Sequence, residues 1–146
     1  EAEAKDKILS YLVERHPIEV PVAMVEAEVD RRLESIAREM IAAGKDPAKA
    51  PVDWKEEREK LVPGATRTVR AMLILEAIAA QEGIQATDED VNDWLKEEAR
   101  RRQSTVGDLK DRLAQSERLS GLRRQIVREK SLDFAFNGAN ITHEAK

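Results

Sequence analysis

A pattern that occurs twice is the feature that most constrains how this chain can fold. The matching apolar positions, identically spaced, are Ile18, Val25 and Val29 in the first copy and Ile84, Val91 and Leu95 in the second. In each copy a helical stretch ends, a short piece of the Ile-x-Val/Ala type follows, and a new periodic stretch begins. The repeat predicts one structural unit used again: a helix, a short extended piece and a newly capped helix.

A degenerate third copy is predicted near the end of the chain. Phe134 and Phe136 are followed by a helix stop at Asn137-Gly138 and then by Asn140-Ile141-Thr142, which is expected to be extended. Long helices that leave a common hub are better suited to holding a partner between them than to building a catalytic pocket.

The composition predicts an all-α chain of one domain. Of the 146 residues, 37% are charged and only 3% are aromatic, so few large side chains are available to fill a globular core. Alternating runs of β-branched residues and short hairpin turns are not present in the sequence, which argues against a sheet. The expected fold class is therefore an elongated multi-helix body with two helical arms.

Charge and cysteine content narrow the classes of function. The net charge is −4 with both signs interspersed, which argues against a general nucleic-acid or membrane binder. No apolar run approaches the ~18–20 residues that a membrane span needs, and the first residues are not expected to form a signal peptide. The absence of cysteine fits a reducing compartment, and a cytoplasmic location is expected. The first residue is Glu1 rather than Met, so a cut fragment or a processed chain is also expected.

Proline, glycine and capping signals predict the ends of the helices. The predicted helices span about 2–15, 21–43, 53–82, 87–103, 105–114 and 116–136. Gly44 is predicted to be a left-handed C-cap, and Ser116 is expected to open the last helix. Pro63-Gly64 predicts a kink or a division of the third helix into two segments.

A short segment that is apolar on every side, Met72–Leu75, predicts a buried hub. The predicted hub is drawn from residues 2–16, 65–82 and 119–137, with Phe134 and Phe136 in its core. The first arm is expected at about 21–62 and the second at about 87–118.

Exposed, separated apolar side chains are the predicted binding groups, because they can hold varied partners without causing self-aggregation. The candidates are Met24, Met40 and Ile41 on the second helix and Trp94, Leu109 and Leu113 on the second arm. For each of them, ordinary packing within the protein remains the alternative, because apolar residues on a helical stripe usually face a core. Trp54 is interpreted mainly as an anchor near an arm tip.

The sequence contains no recognisable catalytic or metal-binding constellation. His16 and His143 lack a His or Cys partner at metal-ligand spacing, and no phosphate-binding glycine loop is present. Neither a metal nor a cofactor is expected, and the chain is not expected to be an enzyme. The arginines at Arg100–Arg102 alternate with acidic residues nearby, which favours a solvated helix face over a phosphate-binding surface.

The ordered set of helix junctions resembles the C-terminal domain of bacterial trigger factor over nearly the whole chain. The segments that carry the resemblance are Ile18-Glu19-Val20-Pro21, the helix from Arg70 to Ala79, the junction from Gly83 to Asp90, and Arg128 to Phe134 before Asn140-Ile141-Thr142. Periplasmic SurA-type chaperones share a similar helical core and match less closely.

The resemblance implies a chaperone module that binds unfolded or nascent polypeptides in a cradle, without ATP. It implies that ribosome contact and prolyl isomerisation belong to other domains of the family, whose motifs are not found in this sequence. One departure is that Glu98, Arg102, Asp108 and Asp111 stand where family members often have apolar side chains. The alternative function is a scaffold or dimerisation module that binds one specific protein or a second copy of this chain.

Overall fold

The computed structural model describes the backbone of residues 1–144 and the side chains of residues 1–139. Within that range the chain forms helices and no strand, which confirms the predicted all-α class. The helices are α1 (Ala2–Arg15), α2 (Val22–Ala42), α3 (Trp54–Glu82), α4 (Asp88–Arg102), α5 (Val106–Gln115) and α6 (Leu119–Glu144). No described helix is both long enough and apolar enough to cross a membrane.

Local capping explains where several of these helices begin and end. The Thr87 side chain accepts a hydrogen bond from the Asp90 backbone N–H, and the Asp90 carboxylate accepts one from the Thr87 N–H. This reciprocal pair satisfies two backbone donors at the start of α4. At the start of α5 the Thr105 hydroxyl accepts a hydrogen bond from the Asp108 N–H, 3.1 Å away. Gly44 follows α2 with φ of +76°, as predicted for a left-handed helix stop.

The predicted start of the last helix at Ser116 is wrong. The Ser116 hydroxyl donates to the Arg112 carbonyl at 2.7 Å and therefore helps to end α5. Glu117 adopts a positive φ of 54°, and α6 begins only at Leu119. A serine can satisfy a free carbonyl at the end of one helix or a free N–H at the start of the next, so its identity alone does not decide between them.

The predicted helix stop at Asn137-Gly138 is also wrong, because α6 continues to Glu144 and includes Asn140-Ile141-Thr142. The extended third copy of the repeat is therefore absent. A glycine stop needs a positive φ, and Gly138 is not among the positive-φ glycines of the described chain. A glycine within a helix costs only about 1 kcal/mol relative to alanine, which the rest of a long helix can offset.

Phe134 does not lie in a core, contrary to the sequence prediction. Its side chain is 49% exposed. Phe136 is half-buried, with the Lys5 ammonium 5.6 Å from the centroid of its ring. Of the two alternatives predicted at Pro63-Gly64, the division of α3 is absent, since the helix is continuous with Pro63 inside it, whereas a kink stays a prediction.

The chain clusters into two compact units, which are described separately. The α2–α3 unit comprises Tyr11–Ile74, and the α4–α6 unit comprises Glu1–Ser10 and the chain from Leu75 onward. The core of the α2–α3 unit is formed by Val25, Val29 and Ala65, with Val20, Leu33 and Leu61 packed against it. The core of the α4–α6 unit is formed by Val91, Leu95, Ala99, Leu109, Leu122 and Ile126.

Candidate functional site

An apolar groove of about 400 Å3 lies between α2 and α3. Its lining consists of Val20, Val22, Val25, Glu26, Val29, Arg58, Glu59, Val62 and Thr66. Val25 and Val29 are buried, whereas Val22 is 72% exposed and Val62 is 41% exposed. The groove thus has a valine floor shared with the core and two valines that present apolar surface to solvent.

The valines explain both why α2 packs on α3 and why the groove stays open. Val22, Val25 and Val29 recur at helical spacing, so they lie along one side of α2. Valine is short and stiff at χ1, and it extends less far from the helix than leucine or phenylalanine would. The side chains therefore bring the helices together without filling the space between them.

Polar contacts hold the walls of the groove in place. Arg32 on α2 donates to the Glu28 carboxylate at 3.0 Å and to the Thr68 hydroxyl on α3 at 2.7 Å. Gly64 lies close to Arg32: a β-carbon there would be 3.0 Å from an Arg32 nitrogen, so a larger residue would require a small shift of the guanidinium. Arg70 donates to the Ile18 carbonyl at 3.1 Å and so anchors the irregular segment that carries Val20.

Charged groups surround the apolar interior. Arg58 on α3 forms an ion pair with Asp30 on α2 at 2.5 Å. The hydrogen bond with Asp30 raises the pKa of the Arg58 guanidinium above its ordinary value, with a smaller contribution from Glu26. Glu26 and Glu59 complete the charged rim of the groove. Such a rim keeps the surface hydrated while the valines provide the apolar contact area.

This arrangement supports binding by burial of apolar surface rather than covalent chemistry. Each square ångström of apolar area removed from water contributes roughly 25 cal/mol. A groove lined mainly by valines offers shape and apolar area, with few directional hydrogen bonds to select one sequence. Among the described residues, no group of three His, Cys, Asp or Glu side chains could hold a metal ion.

Met24 and Ile41 are accessible, but they do not line the groove. Met24 is 37% exposed and Ile41 is 62% exposed. At about 100° per residue, Met24 lies roughly 160° around α2 from Val22. Ile41 lies near the other end of the helix, ~26 Å from Met24 along the axis at about 1.5 Å per residue. The two side chains therefore belong to separate surfaces.

Met40 is half-buried beside the loop that joins α2 to α3. It contributes to a shallow cleft of about 430 Å3 that is otherwise lined by Lys45, Asp46, Lys49, Ala50, Pro51 and Val52. The Trp54 indole N–H donates to the Pro47 carbonyl at 3.3 Å, which ties this loop to the start of α3. The contact supports the interpretation of Trp54 as an anchor.

Trp94, Leu109 and Leu113 are brought together in the α4–α6 unit. Leu109 is only 6% exposed and belongs to the core, which favours its role in pinning α5. Leu113 and Trp94 are half-buried against the same core. All three also line a cleft of about 190 Å3, together with Glu98, Arg102, Arg112, Ser116 and Arg118.

The groove valines were missed as binding residues because the stripe on α2 predicts only packing. Val22 belongs to that stripe, yet it stands in the first turn of α2, where no preceding turn of the same helix covers it. Val62 directly precedes Pro63 on α3 and remains 41% exposed. An apolar stripe that extends into the first turn of a helix is the signal that could have indicated an open end.

The fold and its clefts define an all-α module with open apolar surfaces between paired helices. Residues 1–137 match the model of the family described as the C-terminus of bacterial trigger factor protein. The chain belongs to that family, as the sequence resemblance indicated. No solved structure matches the chain.

Curated relatives agree with this assignment. A trigger factor of Solibacter usitatus is 33% identical over 98% of this chain and 34% of its own length. A trigger factor of Koribacter versatilis is 34% identical over 94% of this chain and 32% of its own length. A third, from Carboxydothermus hydrogenoformans, is 35% identical over 91% of this chain and 32% of its own length. The chain therefore spans about a third of the length of these relatives.

Proposed function

We propose that this chain is an ATP-independent chaperone module that binds unfolded or nascent polypeptides and assists their folding. The observation that carries the proposal is the open valine groove between α2 and α3, in a chain of the trigger factor C-terminal family. Its exposed valines offer apolar surface that no other part of the described α2–α3 unit covers. The cytoplasm is the compartment that we propose, in keeping with the absence of cysteine.

Binding would proceed by reversible burial of apolar side chains of the client against Val22 and Val62. Burying one valine or leucine side chain contributes roughly 1.5–3 kcal/mol before the cost of ordering the chain. One groove of about 400 Å3 holds only a few such side chains. The expected binding is therefore weak, rapidly reversible and tolerant of sequence, as release of a client for folding requires.

Suppression of client aggregation tests the proposal. The parent chain should lower light scattering when several unrelated, chemically unfolded clients are diluted into buffer. A Val22→Ser/Val62→Ser variant should suppress aggregation less at equal concentration, because it removes apolar surface from the groove without touching the buried floor. Circular dichroism and thermal unfolding would establish that the variant keeps its helices.

A matched variant, Met24→Ser/Ile41→Ser, separates the groove from exposed apolar surface in general. It removes two exposed apolar side chains from the same helix, away from the groove. If this variant suppresses aggregation as well as the parent while Val22→Ser/Val62→Ser suppresses it less, the result would support the groove as the client site. Equal loss in both variants would instead assign binding to dispersed contacts, and failure of the parent on every client would refute the chaperone proposal.

The alternative, a scaffold or dimerisation module, predicts a different outcome. A chain of that kind would ignore unrelated clients and would form one stable complex of fixed stoichiometry. Sedimentation velocity of the chain alone, over a wide concentration range, would reveal self-association with a second copy.

A further inference from the structure

The cleft of the α4–α6 unit differs in charge from the groove of the α2–α3 unit. Three of its lining residues are arginines, Arg102, Arg112 and Arg118, whereas Glu98 is its only acidic one. Trp94 and Leu113 supply half-buried apolar surface beside these guanidinium groups. Three arginine side chains thus line the cleft beside the indole ring of Trp94.

Glu98 does not neutralise the whole cleft. Its side chain is 12% exposed and is held by Arg102 at 2.5 Å and by Arg101 at 3.7 Å. Within the part of the chain whose side chains are described, Arg112 and Arg118 make no ion pair and no side-chain hydrogen bond. The cleft therefore retains two guanidinium groups that can each donate to an added carboxylate.

The size of the cleft limits what it can accept. Its volume is about 190 Å3. This is smaller than the ~300–1,000 Å3 of pockets that enclose whole small molecules. One side chain with its immediate neighbour fits such a space, whereas a nucleotide would remain largely outside.

We propose that this cleft binds an acidic side chain of a client polypeptide, with the carboxylate between Arg112 and Arg118 and a neighbouring apolar residue against Trp94. The inference rests on the proposed chaperone function and adds to it a preference for segments that combine acidic and apolar residues. A nucleic acid is disfavoured by size, because a nucleotide would remain largely outside a cleft of about 190 Å3.

Fluorescence of Trp94 provides a direct test in the full chain. Trp54→Phe removes the other tryptophan of the sequence, so that the remaining signal reports on the cleft. The probes are two eight-residue peptides with blocked termini and the same leucine and phenylalanine residues, one carrying two glutamates and the other two glutamines. We expect the glutamate peptide to bind about tenfold more tightly, with a preference that shrinks as salt is added.

Two charge-matched variants identify the groups responsible. Arg112→Gln/Arg118→Gln should abolish the difference between the peptides. Arg100→Gln/Arg124→Gln removes the same charge from residues that do not line the cleft. This variant should preserve most of the difference between the peptides. Equal binding of the two peptides to the parent, or equal effects of the two variants, would overturn the proposal.

Further outcomes distinguish a site for acidic side chains from a nucleic-acid site and from failure of the proposed chaperone function. Tighter retention of a single-stranded oligonucleotide than of the glutamate peptide, lost in Arg112→Gln/Arg118→Gln, would overturn it in favour of a nucleic-acid site. Suppression of client aggregation by Arg112→Gln/Arg118→Gln at the parent level, together with equal peptide binding by the parent, would refute this inference alone. Failure of the parent to suppress aggregation would instead refute the proposed chaperone function.

Discussion

The Lys130 ammonium lies 2.8 Å from an Asp90 carboxylate oxygen, and this pair joins α6 to the first turn of α4. The same carboxylate oxygen accepts the Thr87 N–H at 2.9 Å, so one side chain both caps a helix and fixes its neighbour. Lys130 also donates to the Gln85 carbonyl at 2.8 Å, in the irregular segment before α4. The start of α4 and the middle of α6 are therefore held together through Asp90.

Asp90 makes the stability of the α4–α6 unit sensitive to acid. The hydrogen bond from Lys130, followed by those from Thr87, lowers the pKa of Asp90 to about 2. Because this folded-state pKa is below the unfolded value of about 3.9, the stabilisation is complete above pH ~4. It is lost as the pH falls through about 2. Asp90→Asn should therefore lower the thermal midpoint at pH 7 and do so progressively less between pH 4 and pH 2.

Asp93→Asn provides the control for that measurement. Asp93 lies on the same helix, and its carboxylate oxygen is 3.9 Å from the Lys96 ammonium nitrogen in a largely exposed pair. This control should shift the midpoint little at either pH. If the thermal midpoint of Asp90→Asn stayed below that of the parent by the same amount down to pH 2, the charge of the Asp90 carboxylate would not be the source of the stabilisation.

Arg32 is expected to stabilise the walls of the valine groove. Arg32→Met keeps most of the aliphatic stem but removes the donors to Glu28 and Thr68. Glu28 is 8% exposed and would keep only Arg31 as a hydrogen-bonded cation. The free energy of unfolding should fall by about 1–2 kcal/mol in urea denaturation, as for other lost hydrogen bonds to partly buried charges.

Arg38→Met is the matched substitution on the same helix. Arg38 pairs with Glu34 at 3.2 Å, and both side chains are at least 66% exposed. Such pairs contribute roughly 0.3–0.5 kcal/mol. If both variants lost the same small amount of unfolding free energy, the contacts of Arg32 with α3 would not contribute to stability.

Leu122 and Phe134 lie on the same helix but should respond very differently to truncation. Leu122 is 5% exposed in the core of the α4–α6 unit, and Leu122→Ala should cost about 2–5 kcal/mol. Phe134 is 49% exposed, so Phe134→Ala should change the free energy of unfolding by less than about 1 kcal/mol. Chemical denaturation of the two variants compares them directly, and a loss at Phe134 as large as at Leu122 would contradict its exposed position.

Trp54→Phe should loosen the loop between α2 and α3 without unfolding the helices. The substitution keeps an aromatic ring but removes the N–H that donates to the Pro47 carbonyl. A net loss of about 0.5–1.5 kcal/mol is typical for one hydrogen bond. Hydrogen exchange should become faster at the amides of residues 45–52 and stay unchanged in α4. Unchanged exchange in the loop would show that Trp54 does not anchor it.

Several helix starts and stops were predictable from the sequence, because capping involves residues only a few positions apart. Thr87 and Thr105 reach backbone N–H groups three residues ahead in sequence. Gly44 ends α2 at a conformation that glycine adopts without steric strain. The repeat predicted correctly that the helix is interrupted before α2 and before α4.

Ambiguous local signals were resolved only by the structure. Ser116 can serve either helix end, and it serves the end of α5. Asn137-Gly138 is a common helix stop, but a glycine inside a helix costs only about 1 kcal/mol relative to alanine. That cost is small beside the combined contacts of a long helix. Lys5, which pairs with Asp133 at 2.7 Å, shows that distant residues contact this part of α6.

The sequence by itself determined the all-α class, the family and the apolar periodicity of α2. It could not determine which apolar residues remain open to solvent, because exposure depends on what a second helix covers. Val22 and Val29 share one stripe, yet α3 buries Val29 to 1% exposure and leaves Val22 72% exposed. Periodicity is a property of one helix, whereas a groove is the space left between two, so only the tertiary structure decided where the valines form a surface for binding.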